Sequence, residues 1–186
     1  MMERDVIRLL LEHVRSRFFG KYRGTVIDNA DPGKKGRVKV SVPAVMPPGM
    51  SVWAMPCVPY AGNQVGLFGI PAAGAGVWVE FEGGDLSYPI WVGCFWADGE
   101  APEGANPDVK FFKTEKLGLR LDDSAQQASL GPDSGATVTL TTNAVTAAGQ
   151  SKQTVSPSGV SAEITPNKTE LTSASFSVNG GALEVV

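Results

Sequence analysis

The stretch GVWVEFEGGDLSYPIWVGCFW, Gly76 to Trp96, carries three of the four tryptophans and limits the fold more than any other. Its first arm alternates: Val77, Val79 and Phe81 fall on one side, Trp78, Glu80 and Glu82 on the other. That is the period of a strand with one buried face. The second arm does not alternate. Ile90, Trp91, Val92, Cys94, Phe95 and Trp96 form a nearly continuous apolar run, so both faces of that strand need cover. One face can close a barrel core. The other requires a second layer: a ligand, a helix of the same chain, or another subunit.

Upstream, Ile7, Leu10, Leu11, Val14 and Phe18 recur at helical spacing, with Arg4, Arg8 and Arg15 elsewhere on the wheel. The spacing predicts an amphipathic helix over residues 3 to 18, ended by Gly20. From Tyr22 the pattern becomes that of strands. YRGTVIDN and GRVKVSVPAV alternate around the turn ADPGKKG, a Pro-punctuated strand region follows at MPPGMSVWAMPCVPYAG, and VGLFGIPAAGAG adds a short strand and loop. Short strands spaced by Gly and Pro turns predict a small all-β barrel over residues 20–97, after a helical segment at 1–19. At DGEAPEGANPD the composition shifts to Pro, Gly and acids, which predicts a linker over 98–115.

Charge is unevenly placed. Residues 1–40 hold ten Lys or Arg against five Asp or Glu; residues 41–109 hold seven acids and no Lys or Arg. A basic first part and an acidic middle suit different partners on different faces. The net charge of -3 argues against nucleic acid as the main partner. Charges interrupt the apolar N-terminal residues too often for a secretory signal. Cys57 and Cys94, set in AMPCVPY and WVGCFW, read as buried thiols in a reducing compartment.

Residues 116–186 are a different material. Between Ser134 and Ser177 about two-fifths of the residues are Ser or Thr, and Phe176 is the only aromatic after Phe112. Such composition commonly marks disorder, but ATVTLTT and SASFSV alternate with β-branched residues, as strands do. Apolar pairs recur every seven to ten residues: Leu119 with Leu121, Ala128 with Leu130, Val138 with Leu140, Ala162 with Ile164, Phe176 with Val178, Leu183 with Val185. One or two inward residues per strand cannot build a core in a single chain of this length. Equivalent chains sharing one narrow axis can, each giving one face to every layer of a threefold β-helix or prism. Val138, Leu140, Ala162, Ile164, Phe176 and Val178 are then the expected trimer core.

Four blocks in order resemble the OB-fold of phage baseplate spike proteins and the VgrG-like spikes of contractile injection systems. They are D-P-x-x-x-G-R-V-x-V at Asp31 to Val40, W-A-x-P at Trp53 to Pro56, G-x-x-V-W-V-E-F-E-G-G-D at Gly74 to Asp85, and Y-P-x-W-V-G at Tyr88 to Gly93. The resemblance covers residues 20 to 97. It implies a mainly β protein: an N-terminal helix, an OB barrel and a trimeric needle that pierces an envelope when a sheath contracts. It also implies a homotrimer made in the bacterial cytoplasm and assembled into a tail baseplate or injector particle. Its first part would dock on a baseplate hub through Ile7, Leu10, Leu11, Val14 and Phe18. A PAAR-like tip protein would sit at the apex on Leu183, Val185 and Val186. DGEAPEGANPD leaves no room for the lysozyme-like domain of some members, and with His13 as the only histidine there is no His-x-His site for an axial iron.

No enzyme and no cofactor are expected. Glu80 and Glu82 on one strand face read as a solvated face rather than a glycosidase pair. GKKG at Gly33 to Gly36 lacks phosphate-loop spacing, and PAAGAG at Pro71 to Gly76 is a loop. Two other readings keep the barrel but change its use. One is an OB-fold for single-stranded nucleic acid, with Lys21, Arg23, Lys34, Lys35, Arg37 and Lys39 as cations and tryptophans for stacking. The other is a receptor-binding adhesin on a β-prism stalk, which would need a folded head that this tail is too thin to supply.

Overall fold

The computed structural model describes the backbone of residues 2–186 and the side chains from Val6 onward. Met1 and the side chains of residues 2–5, Arg4 among them, lie outside the described residues. The chain divides into two units between Glu100 and Ala101.

The first unit opens with helix α1, Met2–Arg15. Its strands are β1 (Tyr22–Asp28), β2 (Val38–Ser41), β3 (Val52–Pro56), the two-residue β4 (Ala61–Gly62) and β5 (Val65–Gly66), β6 (Gly76–Phe81) and β7 (Pro89–Phe95). Five of them close a barrel in the order β1-β2-β3-β7-β6, while β4 and β5 pair only with each other. All barrel pairs are antiparallel except β3 with β7. The interior is built from small and branched residues, Val26, Val38, Val40, Val42, Ala54, Val77 and Val79, closed by Phe81, Met46 and Trp91. A barrel this narrow has room for valines and few larger side chains. The alternation expected in β6 holds: Val77, Val79 and Phe81 are buried, and Trp78 and Glu80 are turned outward.

Two expectations change. The helix ends at Arg15 rather than continuing to Phe18. Phe18 instead packs edge-on against Tyr22 and Phe81, with ring centroids 6.5 and 6.4 Å away, and its amide donates to the Gly84 carbonyl at 2.8 Å. The barrel mouth covers this ring, which one more helical turn would leave in water. Gly84 allows the approach. It adopts φ +75°, and a Cβ there would lie 3.0 Å from the Phe18 amide nitrogen.

The unbroken apolar run of β7 has a local cause. Trp78 pairs with Gly93 but Val79 with Trp91, so Val92 is an extra residue, a β-bulge that resets which way side chains point. Before the bulge Trp91 faces the core and its indole N–H donates to the Gly36 carbonyl at 3.2 Å. After it Phe95 lies outside, 5.1 Å from Trp78, with the Arg23 guanidinium 5.5 and 5.4 Å from the two ring centroids. That sandwich is part of the second layer the sequence demands. Helix α1 is not, because Ile7, Leu10, Leu11 and Val14 are 50–64% exposed.

The second unit is one sheet of ten strands: β8 (Val109–Lys113), β9 (Gly118–Asp122), β10 (Gln127–Gly131), β11 (Thr137–Leu140), β12 (Val145–Ala148), β13 (Lys152–Ser156), β14 (Gly159–Ile164), β15 (Asn167–Leu171), β16 (Phe176–Val178) and β17 (Leu183–Val185). Each pairs antiparallel with the next in sequence, so β8 and β17 are the edges. Strand β8 falls inside the expected linker 98–115, which is therefore shorter than its composition suggested. The Ser/Thr-rich stretches that composition alone would leave disordered are strands β11 to β16.

Candidate assembly surfaces

The turn between β1 and β2 is organised by one carboxylate. Asp31 Oδ1 accepts from the Gly33 amide at 2.8 Å and from Arg37 Nη2 and Nε at 2.6 and 3.0 Å; Oδ2 accepts from the Lys35 amide at 2.7 Å. The Arg37 bonds first, then the turn amides, hold the Asp31 carboxyl well below the usual carboxylate range, and its partner's guanidinium is raised in turn. Arg37 also lies over Trp53, 5.6 Å from the ring centroid. The Gly33, Lys34 and Lys35 amides of the GKKG turn thus bond to Asp31 and are not free for a phosphate. This network ties together the first, second and last of the four sequence blocks: Asp31 and Arg37 hold Trp53, while Gly36 accepts from Trp91.

Three of the six cations weighed for nucleic-acid binding, and three of the four tryptophans, are engaged within the barrel. Lys21 forms an ion pair with Glu80, Arg23 covers Trp78, Arg37 covers Trp53, and Trp91 is 5% exposed in the core. The same Lys21 pair occupies one of the two carboxylates that mimicked a glycosidase site. His13 is exposed on α1. Cys57 and Cys94 are both exposed, not buried as expected, because Cys57 follows the end of β3 and Cys94 follows the β7 bulge. Partial desolvation raises the Cys94 thiol pKa. Among the described residues no three His, Cys, Asp or Glu gather into a metal site, and no helix is long and apolar enough to cross a membrane.

Residues 22–96 match the family model of the type VI secretion system/phage-baseplate injector OB domain. The barrel is therefore similar to an injector OB domain. No curated protein matches the chain. The resemblance read from the four blocks is borne out, and the match supports a structural role in a baseplate or related injector.

Beyond the barrel, the sheet register sorts the second unit's side chains by chemistry. Paired positions put Leu119, Leu130, Val138, Ala147, Gln153, Ala162, Thr169, Val178 and Leu183 in one file across the strands. A second file on the same face holds Leu121, Ala128, Leu140, Val145, Val155, Val160, Leu171, Phe176 and Val185. The opposite face carries Arg120, Ser129, Thr139, Thr146, Thr154, Ser161, Glu170, Ser177 and Glu184. One face is apolar and the other is mostly hydroxyl. Of the residues expected to form a shared core, Val138, Leu140, Ala162, Phe176 and Val178 stand in the two apolar files. Ile164 lies on the same face two residues beyond Ala162, where it pairs with Asn167 outside the two files, and Val160 on the other side of Ala162 stands within them. Sequence pattern also passed over Val145, Val155 and Leu171, whose strands carry too few apolar residues to be recognised singly. The apolar files are exposed, with Val138 at 39% and Leu171 at 53%.

The other expected surfaces are likewise open. Ile7, Leu10, Leu11 and Val14 line α1, without Phe18. Leu183 and Val185 lie on the edge strand β17, with Val186 just beyond.

Proposed function

We propose that this chain is the non-enzymatic central spike of a contractile tail or related injector, in which three copies close their apolar sheet faces on a common axis. The observation that carries this reading is the pair of apolar files running from β9 to β17 with nothing over them in the single chain. Contiguous apolar surface on this scale marks an interaction face, and removing it from water is the main drive for association. A threefold prism fits the register, because each chain supplies one face of every layer and turns its hydroxyl files outward. Ten strands at the usual spacing give a shaft on the order of 45 Å long.

Function then follows from stiffness. Ladder hydrogen bonds run along the shaft and packed apolar files run down its centre, so thrust from a contracting sheath passes to the envelope without bending it. The N-terminal helix docks on a baseplate hub through Ile7, Leu10, Leu11 and Val14, and the β17 edge receives a PAAR-like tip. Light scattering on the full chain should give three times 19.5 kDa. A well-folded monomer at micromolar concentration overturns the reading.

A further inference from the structure

The barrel carries a cleft that none of these roles uses. It has a volume of about 490 Å³ and lies between the β1–β2 turn and the excursion from β3 to β6. Lys34 and Lys35 form one lip; Tyr60, Val65, Leu67 and Phe68 form the other. Phe68 is 80% exposed and Tyr60 60%. Neither lysine takes part in an ion pair among the described residues. The cleft is thus complementary to a short segment with an aromatic anchor and carboxylates beside it.

The chain presents such a segment. Directly after β7 come Trp96, 69% exposed, then Asp98 and Glu100, both exposed. A tight turn holds them together: the Glu100 amide donates to the Ala97 carbonyl at 3.1 Å, and Glu100 Oε2 accepts from the Ala97 amide at 2.7 Å. Asp98 makes no ion pair or hydrogen bond among the described residues. Trp96 does not fill the cleft of its own chain, as its exposure requires. Its position matters too. Strands β3 and β7 run parallel, Pro56 beside Trp91, so the cleft and the Trp96 turn leave the same end of the barrel. Copies standing side by side can therefore bring the turn of one against the cleft of the next at a single level. A head-to-tail contact of that kind closes into a ring.

We propose that in the assembled spike Trp96 of each copy seats in the neighbour's cleft against Phe68 and Leu67, with Asp98 and Glu100 facing Lys34 and Lys35. This contact rests on the trimer reading and adds a second, barrel-level interface to the sheet faces.

The test mixes full-length chains with and without nitrogen-15 during refolding, then couples neighbouring amines and carboxylates with a zero-length carbodiimide. Mass spectrometry should find mixed-label links joining Lys34 or Lys35 to Asp98 or Glu100. Trp96→Ala retains every reactive group, yet should lower their yield about tenfold as an interface anchor. A trimer by light scattering that yields no such links, same-label links only, or links indifferent to Trp96→Ala overturns the barrel contact and leaves the spike reading standing. A monomer overturns both.

Discussion

Asp31 and Arg37 are fastened to each other across the β1–β2 turn: Nη2 and Nε of the guanidinium donate to one carboxylate oxygen at 2.6 and 3.0 Å, while turn amides bond both oxygens. The ion pair fixes the turn from which Gly36 reaches the indole of Trp91 and from which Arg37 covers Trp53. Its charge, more than its shape, makes the turn sensitive to acid.

The folded Asp31 pKa lies below the unfolded value of about 3.9. Its contribution to stability is therefore complete above that pH and is lost as pH falls through the folded pKa, further into acid. In a carboxyl carbon-13 NMR titration Asp31 should keep its charged shift after exposed aspartates have moved. A midpoint at the ordinary value would contradict the network.

The outer layer of β7 depends on a glycine. A Cβ on Gly76 would lie 2.7 Å from Phe95 Cε2 and 2.8 Å from Cζ. Gly76→Leu should destabilise the barrel by about 1–3 kcal/mol, seen as a lower urea midpoint, and Phe95→Ala in the same chain should recover part of the loss. Native stability in the single variant would mean that Phe95 does not lie over the strand.

How much of this was legible depended on whether a residue's neighbours were local. Val77, Val79 and Phe81 announced their strand because their contrast with Trp78 and Glu80 repeats every two residues. Phe18 misled, since it keeps helical spacing while its cover comes from Phe81, far along the chain. The β7 bulge at Val92 was hidden inside a run with no alternation left to interrupt. Cys94 looked buried from its apolar neighbours because the same bulge was not visible. In the second unit each strand offers at most three apolar residues, and files exist only once register is known. That is why Val160, on the same face as Ala162 and Ile164, went unrecognised as part of a file. Asp31 was recognised as a turn residue, but nothing in a lone Asp-Pro shows how many donors will converge on it.

The files make a sharp prediction about the shaft. Val138→Asp with Leu140→Asp puts carboxylates on the apolar face of β11, and closing three chains over them would cost roughly 3 kcal/mol or more per variant site. Light scattering should show the assembly lost, while near-ultraviolet circular dichroism from the barrel tryptophans stays native. Retention of the trimer would place the shared face elsewhere.

Hub docking can be separated from barrel folding only by a cut that respects Phe18. Removing residues 1–18 also removes Arg17 and Phe18, which contact Asp85 and Phe81. Ile7→Asp with Leu11→Asp leaves those contacts alone. This double variant should abolish pull-down of the hub at unchanged thermal midpoint, because its side chains are at least half exposed and hold nothing in the chain. Unchanged binding moves the docking surface onto the barrel.

At the C-terminal edge of the ten-stranded sheet, β17 pairs with β16 on one side only, and Leu183 and Val185 are 57% and 60% exposed. Unpaired ladder groups beside apolar side chains form an edge that proteins ordinarily pair, cover or charge. The strand does carry Glu184, but that residue lies on the hydroxyl face opposite Ser177, so the apolar face of the edge has no charge to protect it. A tip protein that adds strands to the edge, or lays an apolar face over Leu183 and Val185, meets both needs at once. Val185→Asp places a carboxylate in that contact beside Phe176, in the last layer of its file. The variant should lose the tip in a pull-down while light scattering still reports three chains, since a single terminal layer is removed from a file that spans the sheet. A variant that retains the tip, or a native shaft whose β17 edge is closed by its own chains, would overturn the assignment.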